Sequence, residues 1–304
     1  MSDTDLPLVS ILLPTHNRPD YAELALRSAL AQNYPNLEII VSDNSDDELT
    51  RERLAPYVAQ YPQLRYHRIP SCPPMANFQN CYAQARGEFV NFLMDDDLFH
   101  PAKIARMMIA MLSQPDVGVI SSSRQLIDGN GQPLPAPPHL APLFQTDTWV
   151  SGQSLGSHLA AVGNVLGEPT TALFRKAAAG PVFGVYQGRQ YSVSSDAATW
   201  LTILTTQDCI YLHEPLSFFR IHNEQDQRNS KTQVRGQFEA LDLVIDLWEH
   251  GHFLPSERLR PMLGERLVQC ATLLHQARDI LRDPVFQPER LATSMQRATA
   301  LLLS

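Results

Sequence analysis

An apolar, aromatic run, Phe89-Val-Asn-Phe-Leu-Met94, stops abruptly at three consecutive carboxylates, Asp95, Asp96 and Asp97. The run has the composition of a buried strand. Adjacent negative charges at the lip of a core strand repel one another and call for a cationic counterpart. In an open α/β sheet the carboxyl end of a strand is also where ligands bind. A divalent cation that prefers oxygen and carries a phosphorylated ligand would meet both conditions. The plain alternative is a solvated acidic turn, and the run alone does not separate the two.

The residues before it set the frame. Val9-Ser-Ile-Leu-Leu-Pro14 reads as a short buried strand, followed by a helix from Pro19-Asp20 to about Gln32 with Asp20 and Glu23 spaced as a capping box. Leu37–Val41 is a second strand, 49–60 a helix and 64–69 a third strand. This alternation predicts a parallel sheet with covering helices. No G-x-G-x-x-G follows the first strand, so a dinucleotide cofactor is not expected. Instead, polar groups crowd two neighbouring strand ends: Thr15, His16, Asn17 and Arg18, then Asp43 to Asp47. Asp43 could accept from the imide N–H of a uracil or thymine; Asp46 and Asp47 read as turn or cap residues.

Composition excludes several classes. The 304 residues are 44% hydrophobic and 18% charged, ordinary for a chain that buries a core. A net charge of −8 argues against a nucleic-acid binder, whose phosphate contacts need a basic surface. No apolar stretch approaches the roughly 20 residues of a membrane span, and the acidic N-terminus lacks the basic start of a signal peptide. The four cysteines, Cys72, Cys81, Cys209 and Cys270, are scattered and suggest neither zinc nor disulfides. A cytoplasmic location is the expectation, with the inner membrane face as the alternative.

Val9–Pro19, Glu38–Asn44, Asn77 with Ala85-Arg-Gly-Glu-Phe-Val90, and Asp95–Asp97 with Pro101 together resemble the ordered signatures of family 2 glycosyltransferases. A fainter match continues to about residue 222. The resemblance implies a GT-A-type α/β fold with a mixed, mostly parallel sheet, and inverting transfer from a nucleoside-diphosphate sugar, UDP- or dTDP-linked, to an acceptor hydroxyl. Such a reaction would belong to bacterial surface glycan or glycoconjugate synthesis, with a glycan, lipid-linked or protein acceptor. Carried over by residue, Pro14, Thr15, His16 and Arg18 would wrap base and ribose, Asp43 would read the base and Asp95 would lie near the ribose. Asp96 would ligate Mn²⁺ or Mg²⁺. Asp97, to which the resemblance gives no role, reads as a cap of the following helix. Many members carry a further acid where this chain has Met94, which blurs which carboxylate meets the ribose.

Residues 101–113 read as a helix with Ile104, Met107, Met108 and Met111 on its core stripe. The next features are a strand at 117–122, a turn at Asp128-Gly-Asn-Gly131 and a proline-rich loop at 133–142. In Gly167–Arg175, which resembles the strand closing the acceptor pocket, Glu168 and Thr170 are acceptor-side candidates. Inverting transfer needs a general base within about 3 Å of the attacking hydroxyl. Asp196, opening an apolar helix, matches that base; Ser195 replaces the glutamate that often precedes it, and a helix cap is the competing reading. His222, ending Leu216-Ser-Phe-Phe-Arg-Ile-His222, is the second metal-ligand candidate, and Asn223–Lys231 would form a lid.

After residue 235 three apolar stripes predict a helical extension: Phe238, Leu241, Ile245 and Trp248; Leu263, Leu267, Cys270, Leu274, Ala277 and Leu281; and Leu291, Met295, Ala298 and Leu302. The expected division is a catalytic domain at 1–235, with a nucleotide half to about 115 and an acceptor half at 116–235, followed by the extension at 236–304. The extension would pack on the catalytic domain or form a homodimer. Two other readings stay open: a metal-dependent nucleotidyltransferase, which usually carries a glycine-rich first loop, and a non-catalytic GT-A module binding a sugar nucleotide or partner.

Overall fold

A computed structural model describes residues 6–222, 230–277 and 288–304. In chain order the strands are β1 (Val9–Thr15), β2 (Leu37–Asp43), β3 (Leu64–Arg68), β4 (Phe89–Phe92), β5 (Leu98–Phe99), β6 (Val117–Ile127), β7 (Pro133–Leu134), β8 (Thr148–Val150), β9 (Leu173–Arg175), β10 (Val185–Tyr186), β11 (Arg189–Gln190) and β12 (Asp208–Arg220). The described helices are α1 (Pro19–Leu30), α2 (Leu49–Gln60), α3 (Pro74–Gln84), α4 (Lys103–Ser113), α5 (Gly152–Val162), α6 (Lys176–Ala179), α7 (Ser195–Leu204), α8 (Ser230–Glu249), α9 (Ser256–Gln276) and α10 (Pro288–Leu303).

Ten strands form one mixed sheet in the order β3-β2-β1-β4-β9-β6-β12-β5, with β7 on β6 and β8 on β12. The expected parallel unit is present: β1 pairs in parallel with β2 and β4, and β2 with β3. All seven residues of β1 are buried, because helices cover both faces of a parallel sheet. The strand order reverses at β1, with β2 and β3 on one side and β4 on the other. Such a reversal leaves a crevice at the carboxyl ends of the two diverging strands. The α4 stripe of Ile104, Met107, Met108 and Met111 packs into the core under the sheet, as its spacing predicts.

Several local expectations change. The capping box at Asp20 and Glu23 does not form. Arg18 is the N-cap but its side chain makes no capping bond, and Pro19 already removes one of the orphan N–H groups. Arg53 of α2 draws Asp20 and Glu23 into ion pairs, and Tyr57 also donates to Glu23 at 2.7 Å. Asp97 caps no helix, since α4 begins only at Lys103 behind Ala102. The glycine of Ala85-Arg-Gly-Glu marks a close approach of chains: a Cβ on Gly87 would lie 2.7 Å from Ser10 Oγ. There the buried Glu38 carboxylate accepts from Ser10 Oγ and Arg86 N, both at 2.6 Å, and pairs with Arg65.

The chain folds as two compact units. The first holds the sheet: residues up to Gly152, Val165–Phe183 and Thr206–His222. The second holds Gln153–Asn164, Gly184–Thr205 and the described residues from 230 onward. In it, α8, α9 and α10 bury one another along the predicted stripes, with Leu241, Ile245, Leu263, Cys270 and Ala298 at the centre. Leu281, and Asn223 to Asn229 of the expected lid, lie outside the described residues.

Candidate active site

The first unit gathers four strand ends. Thr15 ends β1, Asp43 ends β2, Asp95–Asp97 follow β4, and Arg220 ends β12. The short β5 explains how the acidic triplet reaches the far strand. Leu98 and Phe99 pair with Phe218 and Ser217, so the chain leaving β4 crosses directly to the end of β12. There His222 Nε2 lies 3.0 Å from Asp96 Oδ2.

Each member of the triplet has a different environment. Asp95, buried, accepts from Thr15 Oγ1 at 2.9 Å and from Arg18 Nη1 at 3.1 Å. Burial, and then the neighbouring Asp96 charge, push its carboxyl up to about 6 against the pull of Arg18 and Thr15. Asp96 meets the same Arg18 nitrogen at 3.3 Å in addition to His222. Asp97 is a tie between elements: it accepts from Thr170 Oγ1 at 2.6 Å and from Arg220 N at 3.0 Å. Burial raises its carboxyl well above the usual range, with Asp96 and Glu168 adding to the effect. Arg220 turns away from the carboxylates. Its guanidinium binds the backbone oxygens of Asp96, Asp128 and Gly129 and covers the Tyr21 ring, whose centroid lies 5.2 Å from that of His222.

The nucleoside-side candidates separate into open and closed groups. His16 is exposed, with Nδ1 2.9 Å from Asn44 O. Asn17, at φ 55°, is clamped to Asp46 through Asn17 Nδ2 to Asp46 Oδ2 at 2.7 Å and Asp46 N to Asn17 Oδ1 at 2.8 Å. This joins the loops after β1 and β2. Pro14, expected in the loop, is buried inside β1 opposite Ser42. Asp43 is fully buried, with one oxygen accepting from Ser45 N at 2.8 Å and the other from Tyr66 OH. Burial, followed by the Asp43 bond, drives the Tyr66 phenol well up, so Tyr66 stays a donor. Asp47 accepts from Leu49 N at 3.0 Å, the local turn its residue type suggested.

Thr170, named for the acceptor side, is instead fully buried under the triplet, where it accepts from Met94 N and donates to Asp97. Glu168 pairs with Arg124 at 3.2 Å; its other oxygen is buried with no hydrogen-bond partner among the described residues. Burial raises its carboxyl, opposed by Arg124. Lys103, fully buried, donates to Thr171 O at 3.0 Å, and burial lowers its ammonium to about 7.

In the second unit, Asp196 occupies the first turn of α7, with Ser194 rather than Asp196 as N-cap. Its Oδ1 accepts from Ala197 N at 2.7 Å and its Oδ2 from Asn164 Nδ2 at 2.8 Å. The sequence reading missed Tyr21, Tyr66 and Asn164. It also gave Asn77 no task; the side chain donates to Thr15 O at 3.2 Å and Asn44 Oδ1 at 2.9 Å, tying the ends of β1 and β2 together. Nothing in spacing or composition distinguishes these residues from ordinary helix, strand or loop positions.

A family model described as glycosyl transferase family 2 matches residues 10–182. The chain belongs to this family. An uncharacterized glycosyltransferase of Rickettsia typhi is 27% identical over 246 residues, 79% of this chain and 71% of that protein. One from Rickettsia conorii is 34% identical over 130 residues, 42% of this chain but only 21% of its own length. The putative teichuronic acid biosynthesis glycosyltransferase TuaG of Bacillus subtilis is 26% identical over 225 residues, 73% of this chain and 82% of TuaG. Among solved structures, residues 1–349 of S. aureus TarS in complex with UDP-GlcNAc superpose with a TM-score of 0.63 at 18% identity, covering 86% of this chain and 72% of that one. The fold is therefore GT-A, and the family makes the chain a glycosyltransferase. Among the described residues no helix is long and apolar enough to cross a membrane.

Proposed function

We propose that this glycosyltransferase moves a sugar from a uridine or thymidine diphosphate sugar to an acceptor hydroxyl, with inversion and with help from a divalent cation. The observation that carries the reading is the 3.0 Å approach of Asp96 Oδ2 and His222 Nε2 at the strand ends. A carboxylate oxygen and an imidazole nitrogen held this close could both serve one divalent ion. The pair therefore fits one Mn²⁺ or Mg²⁺. No group of three or more metal-binding side chains exists among the described residues. Two protein donors suit an ion that completes its shell with phosphate oxygens and water. When bound, such an ion would offset the negative charge that builds on the departing diphosphate.

The chain's own groups support the rest. Arg18, bridging Asp95 and Asp96, supplies a second positive charge beside the phosphates. His16 and the loop clamped by Asn17 and Asp46 offer exposed polar groups to the nucleoside. Asp95, with its carboxyl already engaged by Thr15 and Arg18, would orient Arg18 and face the ribose; Asp43 would hold the β2 end where the base lies, reaching it only if Tyr66 yields its bond. Asp196 would take the acceptor proton on a carboxylate oxygen as the hydroxyl oxygen bonds the anomeric carbon. The bond to the diphosphate oxygen breaks on the opposite face, and its electron pair leaves with the diphosphate. The UDP-GlcNAc bound by TarS supports a uridine nucleotide, and the teichuronic acid role in TuaG's name supports a bacterial surface glycan as product.

The test joins binding to turnover. Calorimetry with UDP should show affinity that depends on Mn²⁺ and is lost in Asp96→Ala; equal affinity with and without the ion would overturn the coordination. Slow hydrolysis measured across UDP-GlcNAc, UDP-glucose, UDP-galactose and dTDP-glucose should identify the donor. Asp196→Asn should then retain UDP affinity and lose turnover by about 100-fold or more.

A further inference from the structure

The residues leading into α7 are gripped by a row of acids on α8. Glu239, Asp242 and Asp246 lie at spacings of three and four, on one helix face, and all are buried. Asp246 accepts from Arg189 Nε at 2.7 Å and Tyr191 OH at 2.8 Å, and Asp242 meets Arg189 Nη1 at 3.2 Å. These contacts fix the β10–β11 hairpin, whose turn residues Gln187 and Gly188 both have positive φ.

Glu239 does something different. Its carboxylate accepts from three successive backbone N–H groups: Ser192 at 3.1 Å, Val193 at 2.9 Å and Ser194 at 2.8 Å. It also accepts from Ser192 Oγ at 2.5 Å. Ser194 is the N-cap of α7 and its own side chain makes no capping bond. The segment that fixes where α7 begins, and with it Asp196, is therefore ordered from outside the helix by one carboxylate. A negative charge here also complements the positive end of the α7 dipole. The fit is close elsewhere too. Gly184 has φ +79°, and a Cβ there would come within 2.7 Å of Ser195 Cβ. A Cβ on Gly236, one turn before Glu239, would lie 3.3 Å from Val193 Cγ1.

We propose that Glu239 is the positioning residue for Asp196: it sets the angle at which the carboxylate meets the acceptor hydroxyl. This rests on Asp196 being the base. Bonds from N–H groups to an ionised carboxylate are about twice as strong as neutral ones, and displacing a reacting group by about 1 Å can cost 100-fold in rate. A Gln at 239 would turn its amide hydrogens toward N–H groups that need an acceptor.

The experiment follows hydrolysis of UDP-GlcNAc, or of whichever of the four nucleotide-sugars turns over fastest, in the full chain. Glu239→Gln should lower kcat at least tenfold while the donor KM stays within twofold, and Glu239→Asp should recover part of that loss. In an Asp196→Asn background, Glu239→Gln should lower kcat no further, because both changes act on one group. An additive loss, or kcat and KM moving together, would mark Glu239 as merely structural and overturn the proposal. If Glu239→Gln does not fold, Ser192→Ala decides: a fall in kcat of a few-fold supports the role, and an unchanged kcat overturns it. Should Asp196→Asn itself leave turnover intact, the base assignment fails first, separately from this result.

Discussion

Two clusters of three carboxylates in this molecule, one consecutive in sequence and one spaced along a helix, meet very different surroundings. The strand-end cluster, Asp95 to Asp97, is held by Thr15 at the end of β1 and by Arg18 and His222 just beyond strand ends. The helix cluster, Glu239, Asp242 and Asp246, is met from several elements by Arg189, Tyr191, Arg290, Arg297, Ser294 and backbone N–H groups. In the first, one arginine nitrogen serves two carboxylates, and two members are pushed toward protonation. The first has one arginine for three carboxylates, whereas in the second three arginines meet Asp242 and Asp246 and backbone N–H groups meet Glu239. A deficit of fixed countercharge is what a site for a charged ligand requires, whereas a saturated cluster holds architecture.

The contrast can be broken by mutation. Asp246→Ala leaves Arg189 without its closest carboxylate in a buried setting, and should destabilise by about 3–5 kcal/mol, read by denaturant unfolding. His222→Asn should leave stability nearly unchanged and weaken Mn²⁺-dependent UDP affinity about tenfold, or about 1.4 kcal/mol. Asp96→Ala should change the stability of the ligand-free protein by no more than about 1 kcal/mol, because lost bonds to Arg18 and His222 are offset by relief of repulsion on Asp95 and Asp97. A loss as large as that of Asp246→Ala would mean that both clusters are architectural, and the comparison would fail.

The difference between the clusters was only half visible in the sequence. An acidic run directly after an apolar strand is local, and strand alternation alone puts it at the carboxyl end of a core strand. His222 was reachable through family likeness, but the route that brings it to Asp96 depends on the two-residue β5, too short for periodicity to show. The α8 acids were hidden for another reason. Phe238, Leu241, Ile245 and Trp248 mark the apolar face well, but nothing in their spacing tells the acids beside them from solvated helix residues. Their partners, Arg189, Tyr191 and Ser192–Ser194, lie some fifty residues earlier, and no local rule pairs them. The bond from Thr170 to Asp97 was equally hidden, because a threonine before a strand gives no sign of whether its hydroxyl faces solvent or a buried aspartate.

One residue beneath the strand-end cluster makes the comparison testable by pH. Lys103 is a buried cation within electrostatic reach of Glu168 and Asp97, as Arg189 is for the helix acids, but a lysine can lose its proton and an arginine does not. Burial lowers the Lys103 ammonium to about 7 from an ordinary 10.5, with Glu168 and Asp97 opposing the shift. Between those values the unfolded chain holds a proton that the folded chain has released. Unfolding then takes up protons, so this group makes stability rise with pH across the window and fall again as pH drops toward 7. Denaturant unfolding at about pH 7.5 and about pH 9.5 should show that gain in the wild type and a smaller one in Lys103→Met, while Arg189→Met, though destabilising at both, should keep the wild-type difference. Equal pH dependence in all three proteins would show that Lys103 keeps its proton when folded. The strand-end cluster would then possess a permanent interior countercharge, as the helix cluster does, and its deficit of positive charge would no longer single it out as the ligand site.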